Sequence, residues 1–202
     1  MKKASARSLF AFTGNHTAGL VVSMAGSAVP EMAVNREFPD CILSLLMKIA
    51  LLNIGTELLR GRTVNTNAAH MGETLLAAGY SVETTHVIHD DGPVITAAMV
   101  DLLAGHDVVL VTGGLGPTKD DITKKVLLEL FGGEMVCHEP TLARIKGFLK
   151  RLERPLMEHN RQQAFVPSSC EVLENEMGTA PGMAFRQGEK ALISLPGVPF
   201  EM

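Results

Sequence analysis

The segment DVVLVTGGLGPTKDDIT, Asp107 to Thr123, joins an apolar run to a glycine-rich loop and then to a polar helix start. A continuous apolar run of this length is typical of a strand in a parallel sheet that is covered on both faces. In open α/β sheets, ligands bind at the carboxyl ends of such strands. The segment therefore predicts an α/β fold with a ligand site in the loop.

A strand and a helix are also predicted directly after Met47. The run MKIALLNIG is typical of a short buried strand, and TNAAHMGETLLAAG is typical of an amphipathic helix. We expect Thr66 or Asn67 to cap this helix and Gly79 to end it. Its predicted buried face consists of three residues: Ala69, Leu75 and Leu76.

The next pair of elements follows the same order. YSVETTHVI alternates like a strand, and DDGPVITAAMVDLLAG has Asp91 near its cap, Pro93 in its first turn and Gly105 at its end. Strand and helix thus alternate three times before Gly133, which indicates βαβ units in an open α/β sheet. Beyond Gly133, a mostly helical stretch is followed by two short strands around a turn at 187–190.

The composition excludes several classes of protein. The chain has 202 residues, of which 46% are hydrophobic and 20% are charged, and its net charge is −4. A basic surface for nucleic acid is therefore not expected, and no apolar run approaches the ~20 residues of a membrane span. Cys41, Cys137 and Cys170 form no metal-binding spacing. We expect a cytoplasmic protein with neither nucleic-acid nor membrane partners.

Residues 1–46 differ from the rest of the chain because they keep neither a helical nor a strand period. They begin like a secretory signal, with basic residues before an apolar stretch, but Asn15 and His16 interrupt that stretch. We expect a poorly ordered extension followed by one domain at 47–202. A translation start at Met47 is an alternative interpretation of the same pattern.

The glycine-rich loop is suited to binding a phosphate. Backbone N–H groups of Gly114, Leu115 and Gly116, together with the helix start behind them, would form a nest for an anion. Thr112 and Thr118 add hydroxyl donors. The loop is neither a Walker A motif nor a GxGxxG dinucleotide motif.

Two aspartates, Asp120 and Asp121, end the loop, and they leave two interpretations open. One is a tight strand-to-helix turn in which a single aspartate caps the helix. The other is a metal-assisted phosphate site, because a divalent cation between carboxylates and phosphate oxygens would remove their repulsion. A cap needs only one aspartate, so the pair favours the metal-assisted site.

Further acidic residues follow the two preceding strands. Glu57 comes after the first strand, and Asp90 and Asp91 come after the second. Each alone is more often a helix cap or a solvated loop charge. Together with the loop they would place acidic side chains after three consecutive strands, as α/β enzymes do when they assemble a site.

Six motifs of the chain resemble the CinA (competence/damage-inducible protein A) family, and they occur in that family's order. They are IGTELLRGRTVNTNAAHM, HDD, TGGLGPTKDDIT, HNRQQAFVP, GTAPG and LPGVPFEM. The resemblance covers residues 47–202. The match is to the amino-terminal domain of the family, which is similar to the molybdopterin-binding domain of molybdenum-cofactor biosynthesis.

The resemblance implies a three-layer α/β/α fold with a mostly parallel sheet. It also implies a ligand site that combines the loop with Asp90, and it places the LPGVPFEM loop beside the ligand. The expected substrate-binding residues are Thr112, Gly113, Gly114, Leu115, Gly116, Thr118, Glu57, Pro196 and Gly197. The expected catalytic residues are Asp121, Asp120 and Asp90, with Asp120 and Asp121 as the metal ligands.

The activity that the resemblance implies is hydrolysis of ADP-ribose to AMP and ribose 5-phosphate. It implies a divalent cation (Mg or Co) and a favourable effect of potassium. The alternatives are a molybdopterin-binding or adenylyl-transferring domain and a non-catalytic remnant. The expected partner is a nucleotide or pterin ligand, and homo-oligomerisation is left open. Full-length family members also carry a nicotinamide mononucleotide deamidase domain, whose activity is not expected of this segment.

Overall fold

The computed structural model describes residues 47–114 and 122–197. It also gives the backbone of two short antiparallel strands, β1 (Ala11–Phe12) and β2 (Leu20–Val21). The rest of the extension predicted over residues 1–46 lies outside the described residues. The domain boundary at residue 47 therefore stays a prediction.

Six described strands form one mixed sheet, in the order β4–β3–β5–β10–β9–β8. They are β3 (Ile49–Ile54), β4 (Val82–Ile88), β5 (Val108–Thr112), β8 (Glu171–Leu173), β9 (Gly182–Gln187) and β10 (Lys190–Leu195). The neighbours from β4 to β10 run parallel, whereas β9 is antiparallel to both β10 and β8. The expectation of a mostly parallel α/β sheet is confirmed.

Helices cover both faces of this sheet. The described helices are Thr56–Leu59, Thr66–Ala77, Gly92–Gly105, Ile122–Phe131, Glu139–Arg151 and Glu158–Gln162. On one face, side chains of β3 and β5 pack with Met71 and Leu75. On the other face they pack with Ile95, Met99 and Leu127. Because β3 and β5 are buried on both faces, their sequences are continuous apolar runs, and the three-layer fold is confirmed.

The helix Thr66–Ala77 differs from the prediction in its cap and in its buried face. Asn65 is the N-cap, and its side chain accepts a hydrogen bond from the Ala68 N–H at 3.1 Å. Leu75 is buried, but Leu76 is 71% exposed, and Ala69 is exposed as well. The predicted face was wrong because the stripe that packs on the sheet is Ala68, Met71 and Leu75, which are spaced by three and four residues.

The helix Gly92–Gly105 follows the prediction at both ends. The Asp91 side chain caps it by accepting a hydrogen bond from the Val94 N–H at 3.2 Å, and a proline lies in its first turn. At its carboxyl end, the Lys190 ammonium of β10 donates to the Leu103 and Ala104 carbonyl oxygens at 2.5 and 2.8 Å. A cation is favourable at this end of a helix.

The segment after Gly133 contains a break and two strands that the helical prediction missed. The helical stretch is split into Glu139–Arg151 and Glu158–Gln162, with Pro155 between them. The short strands β6 (Met135–Cys137) and β7 (Phe165–Pro167) pair antiparallel. Three residues are too few to show alternation in a sequence. In the described ranges, no helix is both long and apolar enough to cross a membrane.

The two leucines in the helix Thr66–Ala77 form a matched pair for a stability test. We predict that Leu75→Ala lowers the free energy of unfolding by about 2–5 kcal/mol, because it leaves a cavity in the core. Leu76→Ala should change it by less than about 0.5 kcal/mol. Urea denaturation of both variants measures the difference. Equal losses would contradict the assigned buried face.

Candidate functional site

A cavity of about 290 Å³ lies where four strands of the sheet reach their carboxyl ends. The last residues of β3 and β5, Asp90 after β4 and Gly197 after β10 all line it. The amino-terminal turn of the helix Thr66–Ala77 closes one side. The cavity therefore occupies the edge at which the sequence predicts a site.

The sheet face that looks toward the helix Thr66–Ala77 changes from apolar to polar at this edge. Along β3 the buried Leu51 is followed on the same face by Asn53, and along β5 Leu110 is followed by Thr112. Asn53 and Thr112 are direct partners in the parallel register. Both are almost fully buried. The alternation of the strands thus brings an amide and a hydroxyl together beside the cavity.

The turn that leaves β5 requires glycine at two consecutive positions. Gly113 and Gly114 have φ angles of +98° and +66°. Residues that carry a Cβ rarely adopt such angles. A Cβ on Gly113 would lie 2.1 Å from the Ile54 carbonyl oxygen, and one on Gly114 would lie 2.1 Å from Thr123 Oγ1. The turn therefore passes tightly between the end of β3 and the start of the next helix.

One hydrogen-bond network ties three separate segments together at the cavity. The Asn67 side-chain N–H groups donate to Thr112 Oγ1 at 3.0 Å and to the Gly197 carbonyl oxygen at 2.9 Å. Thr112 Oγ1 donates in turn to the Pro196 carbonyl oxygen at 3.0 Å. Thr112, Pro196 and Gly197 were predicted to bind substrate. Asn67 was predicted only as a helix cap, because a contact across 130 residues leaves no local pattern.

The acidic residues after the strands divide into two roles. Asp90 Oδ2 accepts a hydrogen bond from the Thr56 N–H at 2.8 Å, and both Asp90 and Glu57 line the cavity. Asp91 instead caps the helix that follows it. The structure therefore brings Asp90 and Glu57 together with the glycine turn, and it gives Asp91 a local structural role.

Five predicted site residues lie outside the described residues: Leu115, Gly116, Thr118, Asp120 and Asp121. The metal site proposed for Asp120 and Asp121 consequently stays a prediction. Within 47–114 and 122–197, no three histidine, cysteine or acidic side chains come together in a way that could hold a metal ion.

The two described cysteines are poor nucleophiles. Burial raises the pKa of the Cys170 thiol to about 11. The pKa of Cys137 is also raised, mainly by burial and to a smaller extent by the hydrogen bond and the negative charge of Glu139. Both thiols are therefore protonated at neutral pH, and only a thiolate attacks efficiently. Neither residue lines the cavity.

A buried lysine fixes the helix that follows the loop. The Lys124 ammonium donates to the carbonyl oxygens of Gln162, Gln163 and Phe165 at 3.4, 3.2 and 3.0 Å. These three acceptors belong to the HNRQQAF motif. Sequence reasoning assigned no role to Lys124, because a buried lysine has the same local pattern as a solvated one. The contact explains why the motif lies against the first turn of this helix.

The protein-family model described as "Probable molybdopterin binding domain" matches residues 50–202 of the chain. A CinA-like protein from Geobacter sulfurreducens is 44% identical over 156 residues, which is 77% of this chain and 38% of that protein. A CinA-like protein from Flavobacterium psychrophilum is 42% identical with the same coverages. The chain thus spans 38% of the length of these curated relatives.

Solved structures give the same relationship. The crystal structure of the CinA protein from Thermoplasma acidophilum is 39% identical and has a TM-score of 0.68. It is matched over 77% of this chain and 91% of its own. The molybdopterin biosynthesis Mog protein from Mycobacterium ulcerans is 17% identical, with a TM-score of 0.50 over 76% of this chain and 85% of its own. This second likeness is one of fold alone.

Gly114 can be compared with Gly188, which has nearly the same φ angle of +63° but no atom of the described residues within 4 Å of an added Cβ. In both Gly→Ala variants, the strain of a left-handed backbone lowers the free energy of unfolding by about 1–2 kcal/mol. We predict that Gly114→Ala loses a further ~1–3 kcal/mol, because its Cβ overpacks against Thr123. Chemical denaturation of the two variants measures this difference. Equal losses would show that the turn after β5 has room for a side chain.

Proposed function

Because the chain belongs to the family of molybdopterin-binding-like domains found in CinA-like proteins, we propose that its cavity binds a small molecule through a phosphate or pyrophosphate. We further propose that the domain hydrolyses a nucleotide-sugar pyrophosphate. The proposed substrate is ADP-ribose, and the products are AMP and ribose 5-phosphate.

The observation that carries this proposal is the glycine turn beside the cavity. Gly113 and Gly114 line it with backbone that carries no side chain, and both have positive φ angles. Successive N–H groups in such a turn, ahead of a helix start, form a concave anion site. N–H donors fixed before the reaction would stabilise charge that develops on phosphoryl oxygens.

The carboxylates of the cavity suit the divalent cation, Mg²⁺ or Co²⁺, that the proposal includes. Carboxylate oxygens are the donors that Mg²⁺ prefers, and the described residues contribute Asp90 and Glu57. These two are fewer than a full set of protein ligands, so the proposal adds Asp120 and Asp121. A cation bound there supplies charge neutralisation and a more acidic water. Potassium is proposed as a supporting ion.

Asp90 has a further role in this proposal. Its Oδ2 atom is held by the Thr56 N–H, so the carboxylate is fixed at the rim of the cavity before any ligand arrives. Fixed charges and dipoles contribute more to a transition state than groups that must reorganise. We propose that Asp90 positions the attacked end of the pyrophosphate relative to the glycine turn.

The family description favours a second candidate function. In this alternative the cavity binds the phosphate of a molybdopterin, and the aspartates serve adenylyl transfer instead of hydrolysis. Both candidates place a phosphate at the same turn. They differ in the ligand and in the acceptor, which is water in the hydrolysis and the bound pterin phosphate in the adenylyl transfer.

Incubation of the purified chain with ADP-ribose and Mg²⁺ or Co²⁺, with and without potassium, tests the first candidate. We expect equal amounts of AMP and ribose 5-phosphate by chromatography, and loss of both when the cation is chelated. The unreacted substrate incubated without protein is the control. Absence of AMP, together with tight binding of a pterin phosphate, would favour the second candidate.

The neighbouring residues Asp90 and Asp91 offer a matched pair for this assay. An asparagine at either position keeps an oxygen that can accept the hydrogen bond from Thr56 or Val94. We predict that Asp90→Asn lowers the rate by about 10- to 1000-fold through loss of charge at the cavity. Asp91→Asn should retain the wild-type rate, because asparagine also caps helices well.

Thermal melting of both asparagine variants verifies that they are folded. A wild-type rate in Asp90→Asn would remove its charge from the mechanism. A large loss of rate in Asp91→Asn would show that the helix cap, and not the cavity, controls the rate.

A further inference from the structure

The helix Gly92–Gly105 has an outer face that is apolar although it lies on the surface. Its 14 residues contain a single charged side chain, Asp101. The helix Glu139–Arg151, by contrast, exposes Lys146 and Lys150 to solvent. A helix that is apolar on nearly all sides is normally buried. The exposed apolar residues of Gly92–Gly105 are Pro93, Val94, Ala97, Val100 and Ala104.

Two cavities lie between this helix and the helix Ile122–Phe131, one toward each end. Ala97 lines a cavity of about 520 Å³ at the amino-terminal end, and Val100 lines one of about 390 Å³ at the carboxyl-terminal end. The exposed residues of the two helices, together with these cavities, are here termed the paired-helix surface. A contiguous apolar surface of this kind marks an interaction site.

The paired-helix surface also carries one cation and one anion. Lys125 and Glu129 are exposed and line the larger of the two cavities. They lie four residues apart, which is about one helical turn. Within 47–114 and 122–197, neither side chain has an ion-pair partner. The surface thus holds two opposite charges beside its apolar strip, and both are available to a partner.

The positions of these residues along the two helices suit a two-fold axis. In a two-fold dimer, a contact from residue i to residue j is matched by one from j to i. An axis halfway between Ala97 and Val100 places each of them against the other in the second copy. The walls of the two cavities put this axis level with the turn between Lys125 and Glu129. The same axis therefore pairs each lysine with the glutamate of the other copy.

We propose that the paired-helix surface binds a second copy of this chain in a two-fold symmetric dimer. The apolar strips of the two copies pack antiparallel, and two ion pairs between Lys125 and Glu129 flank them. The remaining charge, Asp101, lies off the axis and does not meet its own equivalent. Opposite charges that such an axis exchanges are complementary to an identical surface, which favours a second copy over an unrelated partner.

The dimer leaves the candidate site accessible. The cavity beside the glycine turn lies on the side of the helix Thr66–Ala77, which packs on the sheet face opposite Gly92–Gly105. Dimerisation and ligand binding are therefore separate properties of the chain. Neither the hydrolysis of ADP-ribose nor the binding of a pterin is needed for the dimer to form.

Sedimentation equilibrium of the full chain over a concentration series tests the proposal. We expect the mass of two chains. Val100→Glu should raise the Kd of the dimer at least about tenfold, because it puts a charge at the centre of the apolar strip. Leu76→Glu is the matched control and should keep the wild-type Kd, because Leu76 is 71% exposed on a helix of the opposite sheet face.

A monomeric wild type, or one that assembles as a trimer, would overturn the proposal. A Val100→Glu variant that dimerises as tightly as the wild type would place the interface elsewhere and would overturn it as well. Circular dichroism verifies that the variants are folded. The mass of the wild type decides between dimer and monomer even when a variant does not fold.

The two charges allow a test of the symmetry itself. A chain with Lys125→Glu carries two anions at this place, and a chain with Glu129→Lys carries two cations. Each variant alone should dimerise at least about tenfold more weakly than the wild type, because like charges then face each other across the axis.

An equimolar mixture of these two variants should form a heterodimer, because both ion pairs are restored between unlike chains. Native mass spectrometry measures the heterodimer and the two homodimers separately. A mixture that recovers no heterodimer, or single variants that dimerise as the wild type does, would overturn the two-fold arrangement.

Discussion

The contact between the turn after β5 and the end of β3 is the constraint on which the site depends. Gly113 passes so close to the Ile54 carbonyl oxygen that no side chain fits between them. This close approach aligns the carboxyl ends of β3 and β5. The Thr112 hydroxyl at the end of β5 then donates a hydrogen bond to the Pro196 carbonyl oxygen. The cavity is the space that remains beside this junction.

The polarity of the cavity follows from the same strands that form the core. Each of β3 and β5 is apolar on both faces until its last residues, where Asn53 and Thr112 replace leucine-like side chains. The apolar part packs against the helices, and the polar part lines the cavity. One strand therefore contributes to both the core and the cavity. The apolar and the polar part differ only in their position along the strand.

The sequence predicted those parts of the fold that depend on local patterns. Continuous apolar runs located β3 and β5, and the aspartate and proline before Gly92–Gly105 located its start. The glycine turn was found because adjacent glycines have few other uses. The function of Asn67 and Lys124 could not be predicted, since their partners are 130 and about 40 residues away in the chain. The buried face of Thr66–Ala77 was mistaken because Leu75 and Leu76 are equally hydrophobic, and only packing against the sheet separates them.

The position of β10 between β5 and β9 has a consequence for the order of folding. Strands β3, β4 and β5 all lie before residue 113, but the neighbour on the other side of β5 begins at Lys190. Contacts of such long sequence separation form late, because the entropy of closing the loop opposes them. The hydrogen bonds to Pro196 and Gly197 cannot form before this distant segment is in place. A chain interrupted before β10 would retain a parallel core with an open edge at β5, but it would not yet possess a binding cavity.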